Sequence, residues 1–487
     1  MVTKSAYTRS LDCPRYAWLY HHRREEVADA IDPQRAWRME QGDVVERYAR
    51  QLFPEGALIP GFRTRAARET ERLVGQGATC LFQATVMVEG LHAMADVLKK
   101  RATNGSFDLY EVKGSTEVKE RHLHDVCFQK IAFERAGYAI DRVNIVHIDR
   151  TYVGNGTIDP SRFFITRDVT DDAMKIATDV EDGIRKAERI LGLADVPTLE
   201  EFPCTCSPKD CPCRTHCFPG LPDGSVYFVS RLSLAKARAL YTDGHRTVRD
   251  IPDDARLTER QRLQVRAAKQ NAPIIDRPAI QAMLGALTYP LYFLDYETFS
   301  AIIPPFSGFG PNEKMPFQYS LHVLRTPAAE PEHVEYLAPA YCDTIPGVIA
   351  ALRTHIRDGG TVVVWNKKFE MGCNGNMGRL SPKDAPFLTA LNGRIFDLME
   401  VFDKQHYVDA RFNGSCSIKE VLPVLVPSLS YKNLTIQEGN SASLAWYRMF
   451  APSVTSEERA TTERNLREYC KLDTFAMVEI FRYLLTL

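Results

Sequence analysis

Strand-like and helix-like runs alternate along a chain of 487 residues, which predicts a multidomain α/β protein. Three observations carry that expectation. The length exceeds what one ordinary core fills and points to about three domains. The composition, 45% hydrophobic and 25% charged, is that of a folded chain. Finally, two well-separated stretches set acidic side chains on apolar strands, the places where α/β sheets gather their chemistry.

With 61 basic and 62 acidic side chains the net charge is -1, so any phosphate-binding surface has to be local. The opening residues, Met1 to Ser10, lack the apolar core of a signal peptide, and no run approaches the ~20 apolar residues needed to span a bilayer. The chain is therefore expected in the cytoplasm and off the membrane. In that reducing compartment its 12 cysteines are not expected to form a disulfide framework. Five of them, Cys204, Cys206, Cys211, Cys213 and Cys217, crowd into one short segment, a density that points to a metal. Cys80, Cys127, Cys342, Cys373, Cys416 and Cys470 read as small buried hydrophobes.

Residues 1–220 form the first expected domain. Gln83–Val88 and Leu91–Leu98 read as strands joined at Glu89-Gly90, a tight-hairpin signal, with Asp96 near the end of the second. A loop of turn residues, Thr103-Asn-Gly-Ser106, leads to a third strand, Phe107–Lys113. Alternation puts Glu111 and Lys113 on one face of it, about 7 Å apart along the strand. An acid followed by Glu-x-Lys on the neighbouring strand suits phosphodiester hydrolysis. The carboxylates hold Mg²⁺ or Mn²⁺, and the ammonium orients water and offsets phosphate charge. Glu46, in the helical stretch Gly42-Asp-Val-Val-Glu46, offers a further metal-facing acid. Asp125, Gln129 and Phe133 share one helical face, from which Gln129 can steer substrate or water.

These residues resemble the PD-(D/E)xK nuclease fold of the RecB type, in particular the iron–sulfur nucleases associated with CRISPR adaptation. That resemblance implies one cysteine before the nuclease core and three after it, holding a [4Fe-4S] cluster. Leu11-Asp-Cys13-Pro-Arg-Tyr-Ala-Trp18 matches the first, and Cys206, Cys211 and Cys217 match the other three. Glu46 stands where many relatives carry His, and Phe133 where they carry Tyr. Cys204 and Cys213 are surplus and remain alternative ligands. From the residues alone, a tetrahedral zinc site stays open beside the cluster, although the remote Cys13 is one that a local zinc knuckle does not require.

Residues 221–288 read as a polar helical connector. Its basic stretch, Arg256 to Arg266, is either a solvated face or a phosphate contact.

Residues 289–487 form the third domain. Pro290–Glu297 is an apolar strand ending in Asp295 and Glu297, which leave on one face. Thr361–Asn366 is a second buried strand, and Glu370 falls in the first turn of the helix after it. Asn465 to Asp473 opens a long helix, with Tyr469 and Asp473 at i and i+4 on one face. Asp295, Glu297, Glu370 and Asp473 can converge on two cations ~3.5–4 Å apart, with Tyr469 holding the attacking water.

This pattern resembles the DnaQ-like (RNase H-like) DEDD exonucleases of the tyrosine subtype, across residues 289–487. Glu370 replaces the usual third Asp, which keeps the charge but moves the carboxylate by about one methylene. Asp397 is the alternative third acid, although a strand-end cap is its commoner use. The whole chain resembles a bacterial family fusing a RecB-like iron–sulfur nuclease to a DnaQ-like exonuclease. That implies DNA ends as the partner, processed in repair or in defence against foreign DNA. Two other readings stay open: RNA 3′ ends as substrate, and a nucleic-acid-binding protein with one or both centres inactive.

Overall fold

The computed structural model describes residues 1–27, 33–202, 206–357 and 359–487. It is mixed α/β and divides into two compact units: Met1–Pro219 with Ala301–Asn312, and Gly220–Ser300 with Glu313–Leu487. Among the described residues no helix is long and apolar enough to cross a membrane.

The first unit opens with strand β1 (Val2–Thr3) and helices α1 (Lys4–Asp12), α2 (Pro14–His22) and α3 (Pro33–Arg50). After β2 (Ala57–Leu58) and α4 (Thr64–Gly75) come β3 (Cys80–Val88), β4 (Leu91–Lys100) and β5 (Phe107–Lys113). Helix α5 (Glu120–Arg135) then leads to β6 (Ile140–Ile148) and β7 (Phe164–Asp168). Glu89 and Gly90 both take positive φ, 48° and 78°, the backbone that a two-residue hairpin needs to follow strand twist. The hairpin pairs Val88 with Leu91 and sets the antiparallel register of β3 on β4. β5 is antiparallel to β4, and α5 returns the chain so that β6 runs parallel to β5. One face of this sheet packs on α1, α5 and the helix Ala177–Leu191, through Leu91, Ala93, Leu109, Phe128 and Ile184.

The second unit is built on a sheet of five strands, β9 (Leu291–Phe299), β10 (Met315–Leu324), β11 (Glu332–Leu337), β12 (Thr361–Val364) and β13 (Ile395–Asp397). Their order across the sheet is β11-β10-β9-β12-β13. β9 is the centre: antiparallel to β10 on one side and parallel to β12 on the other. That position accounts for its near-continuous apolar run. Residues 221–288, expected as a helical connector, carry three α-helices, Leu234–Thr242, Glu259–Gln270 and Arg277–Gly285, and fall within this unit. They also contribute β8 (Ile274–Ile275), which pairs with β14 (Tyr407–Val408). In the basic stretch Arg260 bonds Asp403, and Arg262 and Arg266 pair with Glu259.

Three local expectations need correction. β9 continues to Phe299, so Asp295 and Glu297 lie inside the strand rather than at its tip. The last helix starts at Ser456, well before Asn465, because Thr455 and Glu458 close a capping box there. Cys342 is exposed and Cys416 only half-buried, so neither is the buried hydrophobe expected; Cys80, Cys127, Cys373 and Cys470 are buried.

Candidate functional site

In the second unit the sheet and two helices bring five expected residues to one cleft. Asp295, Glu297, Glu370, Tyr469 and Asp473 line it together with Asn366 and Lys419. β9 supplies the first two acids on one face. Glu370 comes from the first turn of the helix Lys367–Leu380, which Tyr296 fastens to β9 by donating to Asn374 Oδ1 at 2.9 Å. Tyr469 and Asp473 come from the helix Ser456–Leu485, whose position over the sheet is fixed by buried polar contacts. Gln318 Nε2 donates to Leu466 O at 3.0 Å, and the Thr474 hydroxyl lies 2.7 Å from Ser320 Oγ and 2.8 Å from His322 Nδ1. Because Thr474 adjoins Asp473, these contacts set where that acid stands.

The electrostatics are those of a carboxylate cluster short of positive charge. Burial, then Asp473, Glu297 and Glu370, push the Asp295 carboxyl well above its usual range. Glu297 is raised in the same way by burial and Asp473, against the pull of Lys419. Burial raises Glu370 to about 8 and Asp473 to about 6, the latter restrained by the Tyr431 hydroxyl. Glu370 is only 2% exposed, and its Oε2 has no hydrogen-bond partner among the described residues. A buried, unpartnered carboxylate oxygen facing other acids is costly unless a cation shares the site. The residues therefore fit divalent ions such as Mg²⁺ or Mn²⁺, which take carboxylate oxygens.

Asp397 does not line the cleft, although its charge helps to raise Glu370. Its carboxylate accepts from Lys367 N at 3.0 Å and Met399 N at 3.1 Å, capping the helix that carries Glu370. Four neighbours were not singled out from the sequence. Tyr431 donates to Asp473 Oδ1 at 2.7 Å. Lys419 Nζ lies 5.8 Å from the Tyr431 ring centre and 5.9 Å from that of Tyr469. A Cβ on Gly439 would stand 3.3 Å from Glu297 Oε2, so the close approach there suits glycine. Cys470 places Sγ 3.9 Å from Asp295 Oδ2, and among the described residues Asp295, Glu297 and Cys470 have potential ligand atoms all within 4.8 Å of one another. Tyr469-x-x-x-Asp473 drew attention to one face of the helix, and Cys470 sits just beside it.

In the first unit Asp96, Glu111, Lys113, Gln129 and Glu46 also come together. The β4–β5 register runs Val97 against Tyr110, so Asp96 and Glu111 meet one step further on. Asp96 Oδ2 accepts from Val112 N at 2.7 Å. Gln83 bridges Asp96 and Glu46 through its amide, and Glu46 is also paired with Arg50 at 2.6 Å. Gln83 holds a positive φ of 58°, a backbone state uncommon outside glycine that clusters at functional sites.

Glu111 is buried, and Gln129 Nε2 donates to its Oε2 at 2.6 Å. The Gln129 Oε1 has no partner among the described residues. Lys113 stands 2.9 Å from Glu111 Oε1 and also pairs with Asp125. Burial would raise Glu111, but Lys113 and Lys4 beside it hold it down at about 2. Asp96 goes the other way, to about 8, through burial and the Glu111 charge. Glu111 thus has two ammonium groups in contact whereas Asp96 feels Lys4 only through its field, an imbalance that a metal bound between them would even out.

Of the cysteines, Cys211, Cys213 and Cys217 lie buried in an apolar cluster with Trp18, Leu19 and Phe202, and Cys206 packs against it. Cys13 is buried at the junction of α1 and α2. Helix α2, starting just after it, is tied to this region: Arg15 donates to Pro197 O at 2.8 Å and His216 O at 3.1 Å, and Trp18 Nε1 to Leu193 O at 2.9 Å. Cys204 lies outside the described residues.

A family model described as a domain of unknown function (DUF2779) matches residues 292–417, a stretch that holds Asp295, Glu297 and Glu370 but not Asp473. The chain is 29% identical over 145 residues to the uncharacterized MG366 homolog of Mycoplasma pneumoniae, covering 27% of this chain and 22% of that protein. It is also 29% identical over 133 residues to uncharacterized protein MG366 of Mycoplasma genitalium, covering 25% and 20%. The chain thus spans about a fifth of the length of the curated relatives it matches.

Proposed function

We propose that this chain is a metal-dependent nuclease with two centres: a DnaQ-like, RNase H-like 3′–5′ exonuclease in the second unit and a RecB-like PD-(D/E)xK nuclease in the first, both acting on DNA ends. The observation that carries the reading is the cleft where the half-buried Asp295 meets the buried Glu297, Glu370 and Asp473, and where Glu370 Oε2 lacks a partner among the described residues. Two bound Mg²⁺ or Mn²⁺ ions would activate water and stabilise the leaving oxygen. The chain's own residues do the rest. Asp295 and Glu297 on β9, Asp473 on the helix Ser456–Leu485 and Glu370 on the helix Lys367–Leu380 would hold the ions. Tyr469 orients the attacking water. Lys419, at the cleft and partly offsetting the Glu297 and Asp473 charges, faces the substrate phosphate.

In the first unit Asp96 and Glu111 would share an ion, with Glu46 nearby and Lys113 and Gln129 set around Glu111. Cys13, Cys206, Cys211 and Cys217 would hold a [4Fe-4S] cluster, whose chemistry here is to tie the ends of the domain together.

The test is hydrolysis of end-labelled single- and double-stranded DNA and RNA with Mg²⁺ or Mn²⁺. Release of nucleoside 5′-monophosphates from 3′ ends, abolished by Asp295→Asn, is expected. Equal activity of wild type and Asp295→Asn on every substrate would end the exonuclease reading, and preference for RNA would move only the substrate.

A further inference from the structure

In the first-unit centre a second ammonium stands on Glu111 beside that of Lys113. Lys4 lies 107 residues from Glu111 in sequence, yet its Nζ is 2.5 Å from Glu111 Oε1, the same oxygen that Lys113 Nζ approaches at 2.9 Å. Its backbone is held in place. Val2 N donates to Gly90 O at 2.7 Å, β1 runs parallel to β4 at Leu91 and His92, and Thr3 caps α1 by accepting from Ala6 N at 3.1 Å. Lys4 is thus presented to the site by the edge of the very hairpin that carries Asp96.

Three facts separate this from a plain structural ion pair. Glu111 already has Lys113 and Gln129, so neutralising its charge does not require a second ammonium. An ammonium has three donors, and among the described residues only Glu111 accepts from Lys4. Finally, the Lys4 side chain keeps 26% of its exposure whereas that of Glu111 keeps 4%, so Lys4 reaches the buried acid from nearer the surface. Its field also reaches Asp96 and Asp125.

Charge balance then dictates what happens when a divalent ion joins Asp96 and Glu111. Two carboxylates and one divalent cation are neutral together, and Lys4 is left as a surplus positive charge beside the ion. Asp125 is already paired with Lys113, so the anion that takes it is a phosphodiester of the substrate.

Building on the RecB-like reading of this centre, we propose that Lys4 is a substrate-binding residue of the first unit, one that gives up Glu111 to a metal ion and binds a non-bridging oxygen of the nucleic-acid phosphate.

The experiment uses the full chain in an Asp295→Asn background, which silences hydrolysis in the second unit. Binding of a fluorescein-labelled single-stranded DNA is followed by anisotropy across a salt series in Ca²⁺, and Mn²⁺ binding by calorimetry. Lys4→Met should lower the slope of log affinity against log salt by about 0.7, the loss of one phosphate contact on a single strand. It should also bind Mn²⁺ several-fold more tightly, because its competitor for Glu111 is gone, while Lys4→Arg keeps the wild-type slope. An unchanged slope in Lys4→Met overturns the proposal, whatever Mn²⁺ does. If Lys4→Met does not fold, Lys4→Gln, which retains a hydrogen-bond donor without the charge, gives the same two outcomes. Asp96→Asn keeps the readings apart: if it binds Mn²⁺ like its parent, the metal centre itself is wrong, whereas loss of Mn²⁺ binding with an unchanged Lys4→Met slope removes only Lys4.

Discussion

Glu370 illustrates how a single side chain can be a liability for folding and an asset for chemistry. Its carboxyl sits at about 8 through burial, and Asp473 at about 6. Both are raised, so the folded chain keeps protons that the unfolded chain has already released. The stability these groups contribute is complete below the ordinary carboxylate range and is lost as pH rises through about 6 and then about 8. Without metal, Glu370→Gln should therefore melt above wild type, by a margin that widens from about pH 5 to about pH 8. With Mn²⁺ the order should reverse, because the amide cannot replace the ligand. Melting curves with and without Mn²⁺ at several pH values check both signs. Tyr469→Phe should keep metal binding and lose about 10-fold to 1000-fold in turnover, as the water's orientation and one hydrogen bond to Asp473 are removed while all four acids remain. A drop as large as that of Asp295→Asn would make the hydroxyl essential to metal binding instead.

At the scale of elements, what the chain spells locally was readable and what packing brings from afar was not. Strand alternation placed Asp295 with Glu297 and Glu111 with Lys113, and the i, i+4 rule placed Tyr469 with Asp473, because those relations hold within one element. Helix start and strand end slipped, the former although Thr455-x-x-Glu458 spelled a capping box. Tyr431 meets Asp473 across 42 residues and Lys4 meets Glu111 across 107, contacts that no local period encodes. The polar seam of Gln318, Ser320, His322 and Thr474 was equally invisible, yet it holds the helix Ser456–Leu485 in register on β10. Thr474→Val should take from His322 Nδ1 its hydroxyl partner and leave Ser320 with His333 alone, costing about 1–3 kcal/mol. It should also slow the exonuclease by displacing Asp473. Full activity with an unchanged melting point would show that the seam does not position the site.

For the whole molecule, the sequence already divided the chemistry between two α/β sheets, and its composition, with a net charge of -1, was silent about nucleic acid. The crowding of the thiols was plain in the sequence, whereas the burial of Cys13, Cys211, Cys213 and Cys217 comes from packing that spacing does not encode. Anaerobically purified protein should contain about four irons per chain and absorb near ~400 nm. Stoichiometric zinc without iron would replace the cluster by a tetrahedral site. The central claim, that Asp295, Glu297, Glu370 and Asp473 form a two-metal centre, is tested most directly by anomalous diffraction from crystals grown with Mn²⁺. Two peaks about 3.5–4 Å apart among these four carboxylates are expected. An empty cleft at saturating Mn²⁺ would contradict it.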